Sequence, residues 1–208
     1  MKRFNQIKIT THESELLKTI DNKELNVFSE KDIRDLKLFR SDELHKSLNK
    51  LVNYGIIFRI EKGKFCRHNF RNEFVIGNML VKDGAIAYWS ALNLHGLTEQ
   101  FPNSVFVQSP YLKKDKNIFG INYRFVKIKS EKFFGITQQG YGNESYRITD
   151  IEKTLLDCFD LPQYSGGYEE LIRAFYKAKI NKNKLLNYGM RMHNIAILKR
   201  MAYLSVLF

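Results

Sequence analysis

Four carboxylates, Asp150, Glu152, Asp157 and Asp160, crowd one short stretch of the chain. Paired carboxylates bind divalent metal or exchange protons. Asp150 and Asp157 are spaced to share one helix face, with Lys153 between them. A cation interleaved in this way favours a salt-bridged structural face over a metal or acid–base centre. His95, in Leu94-His95-Gly96, reads as a helix end whose side chain meets free carbonyls. The histidines at 12, 45, 68, 95 and 193 show no metal-ligand spacing with Cys66 or Cys158. Gly140-Tyr141-Gly142 reads as a turn. Gly166-Gly167 could offer helix amides to an anion, although a tight turn is the commoner outcome. P-loop, G-x-S-x-G, H-E-x-x-H and Rossmann patterns do not occur. The expectation is a chain with no catalytic residues, no metal and no cofactor, and with Trp89 and most other aromatics in the core.

A second set of residues is basic. Leu44, Leu48, Leu51 and Val52 recur at helical spacing, which turns Lys46, Asn49, Lys50 and Asn53 towards the opposite face. Such donors reach base edges or phosphates in a major groove. Arg40 and Ser41 precede this helix, with Ser41 expected as its N-cap and Asp42 and Glu43 in its first turn. Arg59, Lys62, Lys64 and Arg67 lie on two extended runs around Lys62-Gly63, a hairpin suited to backbone phosphates.

The elements that would position this set are legible around it. Leu16, Leu17 and Ile20 mark a first helix. Ser29 caps a second, with Asp32 three residues on and Ile33, Leu36 and Phe39 as its apolar side. Gly55 is the expected stop of the third. Helix, helix, helix and hairpin within residues 1–71 is the winged helix-turn-helix order.

Composition agrees with a polyanion partner. The 208 residues carry 34 Lys+Arg against 22 Asp+Glu, a formal net charge of +12. Residues 1–71 hold 16 of those cations and 10 of the anions, about twice the charge density of the rest. Two cysteines cannot build a disulfide framework, so a reducing cytoplasm is the expected compartment. Met1–Thr11 has no apolar region of an export signal, and no run approaches the ~18 apolar residues of a membrane span.

Residues 72–208 read as a mixed α+β domain. Phe74–Val81 and Ala85–Leu94 are expected as helices. Val105–Ser109, Asn122–Lys129, Phe133–Thr137 and Ser145–Ile148 are expected as strands. Thr149 and Glu152 form a T-x-x-E capping box opening Ile151–Phe159. Glu169–Lys177, Lys182–Tyr188 and Ile195–Leu207 complete a helical end.

Tyr88–Leu97 (YWSALNLHGL), Phe133–Ile136 (FFGI), Thr149–Asp157 (TDIEKTLLD) and Tyr164–Glu170 (YSGGYEE) occur in that order. In order and spacing they resemble the AbiEi family, the antitoxin and transcriptional-regulator component of type IV toxin–antitoxin systems. The resemblance runs along Gly84–Tyr203, and a winged helix ahead of it also fits the family. Members often continue beyond the match to Arg200–Leu204. The resemblance implies a winged helix that binds inverted repeats in double-stranded DNA upstream of its own operon and represses it. It implies a second domain that counteracts a nucleotidyltransferase-like toxin without a stable complex. No membrane partner is expected, because no apolar run is long enough for a span. Within the second domain the motif residues are Trp89, His95, Glu152, Lys153, Asp157, Gly166 and Gly167. Two alternatives stay open: a stand-alone regulator whose second domain senses a ligand, and a nucleic-acid enzyme using Asp150, Glu152 and Asp157.

Overall fold

A computed structural model describes residues 9–207. The reading of Met1–Thr11 as lacking an export signal falls largely outside that range, and Phe208 lies outside it too. The chain is mixed α+β and divides into two compact units, each with its own sheet. One unit holds the described part of Met1–Asn72 together with Gly142–Glu144. The other holds Glu73–Tyr141 and the described part of Ser145–Phe208.

The first unit runs α1 (Thr11–Asn22), β1 (Val27–Ser29), α2 (Glu30–Arg34), α3 (Ser41–Asn53), β2 (Ile57–Glu61) and β3 (Lys64–Arg67). Thr10 and Glu13 cap α1 reciprocally, and Ser29 and Asp32 do the same for α2. Helix α2 ends at Arg34, so Leu36 and Phe39 lie beyond it, where Phe39 still packs on the core. Arg40, not Ser41, is the N-cap of α3, and its side chain makes no cap bond. The first helical bond, Leu44 N–H to the Arg40 carbonyl at 2.9 Å, already encloses Ser41. At the other end Gly55, with φ +71°, lets its own N–H reach Val52 and that of Ile56 reach Leu51. The three strands pair antiparallel in the order β1-β3-β2, and β1 is a strand the sequence did not disclose. Leu16, Ile20, Phe28, Ile33, Leu44, Leu48, Leu51, Ile57 and Phe65 form one buried cluster under this sheet and its helices. Three of them sit on α3, which fixes which face of that helix remains outside.

The second unit begins with α4 (Glu73–Leu80), β4 (Ala85–Ile86) and α5 (Tyr88–Leu94). Strands β5 (Ser104–Ser109), β6 (Lys116–Ile118), β7 (Ile121–Lys127), β8 (Ile136–Gln139) and β9 (Tyr146–Thr149) follow. Helices α6 (Ile151–Asp160), α7 (Tyr168–Lys177), α8 (Lys182–Arg191) and α9 (Ile195–Leu207) end the chain. The six strands form a mixed sheet in the order β6-β7-β5-β4-β9-β8. Ala85 and Ile86 are not helical as expected. They are buried between β5 and β9, pairing with Gln108, Val107 and Ile148, and the helix starts only at Tyr88. The run Phe133–Thr137 is likewise not one strand: a 3₁₀ turn occupies Ser130–Lys132 and β8 starts at Ile136. Helix α6 is buried from Glu152 through Phe159 and packs against α5, α7, α8 and α9, which makes it the central pillar of the unit. Among the described residues, no helix is long and apolar enough to cross a membrane.

Candidate functional site

The basic residues of the first unit divide into those held by the fold and those left outside. Lys50 Nζ stands 2.8 Å from Oε1 of Glu13, a carboxylate of α1 whose side chain is only 1% exposed. Burial alone would raise the Glu13 pKa. The Lys50 ammonium and the N–H and hydroxyl of Thr10 outweigh it and hold the carboxyl below its ordinary value. Lys50 is held above its own ordinary value by that same contact. Arg67 turns inwards: its guanidinium donates to Asp21 at 2.7 Å and to the carbonyls of Ile20 and Leu25 at 2.9 and 3.1 Å. The sequence placed both side chains on a nucleic-acid face. The structure has each joining elements of its own unit, because the buried Glu13 carboxylate lies within reach of Lys50, and Asp21 and the carbonyls of Ile20 and Leu25, at and beyond the end of α1, lie within reach of Arg67.

Asn49 and Arg59 are also bonded to each other, and the Arg59 guanidinium lies 5.5 Å above the Phe65 ring. Lys64 pairs with Glu61 at 3.2 Å. Lys46, Asn53 and Lys62 are exposed. Arg40 is exposed as well, with Asp42 at 3.8 Å, while Ser41 opens α3 at the surface. Lys46 and Asn53 lie on α3 away from Leu44, Leu48 and Leu51, and Lys62 stands in the β2–β3 turn.

Between α2, the start of α3 and that turn lies a groove of about 650 Å³. Lys31, Arg34, His45, Arg59, Lys62 and Lys64 line it, with Glu30 bridging Arg34 at 3.4 Å and His45 at 3.2 Å. Lys31, Arg34 and His45 were not singled out in the sequence. Their signal is the placement of two cations on the solvent face of a helix whose one buried residue is Ile33. A concave surface with this excess of cations suits a phosphate backbone.

In the second unit the four carboxylates point to separate tasks. Asp150, rather than Thr149, caps α6 by accepting from the Lys153 N–H at 2.9 Å. Thr149 instead bonds Thr154, hydroxyl to hydroxyl, at 2.7 Å. Glu152 does not close a capping box. It accepts from the Asn181 N–H at 2.9 Å and from Lys184 at 2.9 Å. Burial would raise the Glu152 pKa, but these two donors hold it below its ordinary value. Asp160 meets Lys132 at 2.6 Å and Asn194 at 2.8 Å. Among the described residues, no three His, Cys, Asp or Glu side chains come together as a metal site would require.

Asp157 and Lys153 are the buried members. The Lys153 ammonium bonds Asp157 Oδ1 and lies 5.0 Å from the centre of the Phe134 ring, with the two side chains 0% and 3% exposed. Burial pushes the Asp157 carboxyl up to about 6, with Lys153 opposing. Asp157 Oδ2 and both amide atoms of the buried Gln108 have no hydrogen-bond partner among the described residues. Gly135, at φ +64°, admits the Lys153 stem, since a Cβ there would come 2.7 Å from Lys153 Cβ. The Lys153–Asp157 pair is thus a buried charge pair within α6, closed to solvent.

The remaining motif residues fasten neighbouring elements. His95 is the C-cap of α5, yet its ring serves another element: Nε2–H donates to the Thr149 carbonyl at 2.7 Å. Gly166, at φ +82°, lies against the Trp89 indole, where a Cβ would come within 2.7 Å. Gly167 is the N-cap of α7 and offers no side chain to its first-turn amides. Trp89, His95, Lys153 and Gly166 thus hold α5, α6 and the turn before α7 in register. No protein-family model matches the chain, and no curated protein matches its sequence.

Proposed function

We propose that this chain is a cytoplasmic, DNA-binding regulator of its own operon and the antitoxin of a type IV toxin–antitoxin pair. The observation that carries the first half is the N-terminal unit. Its order α1-β1-α2-α3-β2-β3, with sheet order β1-β3-β2, supports reading it as a winged helix-turn-helix. In that reading α3 enters the major groove of double-stranded DNA. Lys46 and Asn53 then meet base edges, while Arg40 and Lys62 contact phosphates. The basic groove beside the β2–β3 turn extends the phosphate-binding surface to Lys31 and Arg34.

The antitoxin half rests on the resemblance of the second unit to the AbiEi family, and it names a nucleotidyltransferase-like toxin as functional partner. No catalytic role is assigned to the second unit. Asp150, Glu152 and Asp160 are committed to caps and ion pairs, and Asp157 is sealed from solvent. The test has two arms in cells. The intact chain should repress a reporter driven by its own upstream DNA, and the Lys46→Ala/Lys62→Ala variant should release it. The chain should also restore growth arrested by a nucleotidyltransferase-like protein encoded beside it. An unrepressed reporter removes the regulator, and an unrelieved arrest removes the antitoxin.

A further inference from the structure

The last two helices present apolar surface to solvent. Leu186 and Met190 on α8 are 56% and 72% exposed, and Ile195 and Val206 on α9 are 71% and 86% exposed. Leu186 and Met190 are four residues apart. Ile195, Leu198, Ala202 and Val206 recur at three, four and four. Each set is therefore a single stripe on its helix. Gly189 brings the helices close, because any Cβ there would strike Leu198. Leu186 of the first stripe and Leu198 and Ala202 of the second, with Phe175 of α7 and the loop after it, line a groove of about 630 Å³ that is largely apolar.

Charge tells what would fill it. No Asp or Glu occurs after Glu170, whereas eight Lys and Arg do. Half of these are occupied locally. Arg173 pairs with Glu169, Lys184 pairs with Asp150 and Glu152, Arg191 stacks on Phe134, and Arg200 donates to the Phe159 carbonyl. The other four, Lys177, Lys179, Lys182 and Lys199, are exposed and make no ion pair among the described residues. Lys182 lines the groove itself.

We infer that this groove docks an acidic amphipathic helix of a partner protein. Its apolar side chains, at i, i+3 or i+4 and i+7, would seat between the α8 and α9 stripes. Its flanking carboxylates would meet Lys182 on the groove wall, in a segment that carries three further exposed lysines and no Asp or Glu after Glu170. A helix satisfies its own backbone and needs no donors from these walls. A phosphate backbone would leave the apolar walls unfilled, and a flat bilayer would not fill a concave surface. The inference stands apart from the DNA-binding reading, since every residue it uses belongs to the second unit.

The test is an unbiased selection on the full-length protein. A displayed library of random peptides of about 15 residues, long enough to hold a helix, is panned against it. Enriched peptides should share the apolar spacing and a net negative charge. Leu186→Lys or Ala202→Lys, both exposed positions on the groove wall, should each weaken their binding at least about tenfold with the circular dichroism unchanged. Lys182→Glu should weaken acidic peptides and favour versions with lysine in place of glutamate. No enrichment, enriched basic peptides, or binding indifferent to both lysine variants would overturn the inference. Two other results would also overturn it: Leu186-dependent binding to phosphatidylserine vesicles, which assigns the face to a membrane surface, or a Leu186-dependent dimer, which assigns it to a second copy.

Discussion

Lys50 on α3 and Glu13 on α1 form an ion pair with the carboxylate buried and the ammonium half in solvent. The pair ties the proposed recognition helix to the helix behind it. It also engages one of the cations of α3, which stays half exposed, whereas Lys46 and Asn53 are exposed without that tie. The two lysines, four residues apart on one helix, should therefore respond differently to replacement.

Lys46→Ala should lower affinity for the operator about tenfold and leave thermal unfolding unchanged. Lys50→Ala strands a buried carboxylate and should lower the melting temperature of the first unit. Parallel DNA titrations and melting curves separate the two. Equal effects of both variants on both readouts would show that the outer face of α3 has been assigned wrongly.

The second unit holds an ion pair of a different kind. Asp157→Ala leaves the fully buried Lys153 ammonium without its partner and should destabilise the unit by about 3–5 kcal/mol. The double change Lys153→Met/Asp157→Leu removes both charges and should recover most of that loss. Urea unfolding measures both. A stable, folded Asp157→Ala protein would return Asp157 to consideration as a chemical group.

Acid stability should report Glu152. Its carboxyl titrates below the ordinary 4.5, so its contribution is complete above 4.5 and is lost as the pH falls through the lower folded value. Glu152→Gln should cost about 1–3 kcal/mol at neutral pH, and the gap from the parent should narrow below 4.5. Asp157 runs with the opposite sign. Its folded pKa near 6 exceeds the ordinary 3.8, so stability falls with rising pH across that window and is flat above it. Unfolding free energies measured from pH 2 to 8 test both slopes.

Gly166 and Gly96 separate backbone strain from collision. Both have positive φ, but a Cβ at Gly96 meets open space whereas one at Gly166 meets the Trp89 indole. Gly96→Ala should cost about 1 kcal/mol from strain alone, and Gly166→Ala clearly more. Trp89 fluorescence should shift only in the Gly166 variant.

What was legible in the sequence was largely local. Ser29 with Asp32, Gly55, the Leu44, Leu48 and Leu51 spacing and the Lys62-Gly63 turn each signal an element through neighbours a few residues away, and all four are present. What was misread depends on distant partners. Ala85 and Ile86 are short and apolar enough for a helix, and only their pairing with Val107, Gln108 and Ile148 makes them a strand. Thr149 and Glu152 match a capping box, but Thr154 and Asn181 are better placed to bond them. That Glu13 stands beside Lys50 and Asp21 beside Arg67 is likewise invisible in the sequence. Charge state at a site is a tertiary property, and spacing alone does not reveal it.

Helix α3 and the β2–β3 turn carry the proposed sequence-specific DNA binding. The most direct measurement is binding of the full chain to the DNA upstream of its own gene, against a scrambled duplex, at two salt concentrations. Preference for the upstream DNA should persist at the higher salt, with affinity falling as salt rises. Lys46→Ala should remove the preference, while Lys62→Ala should weaken both duplexes alike. Equal, salt-labile binding to the two duplexes, or no binding at all, would contradict sequence-specific binding.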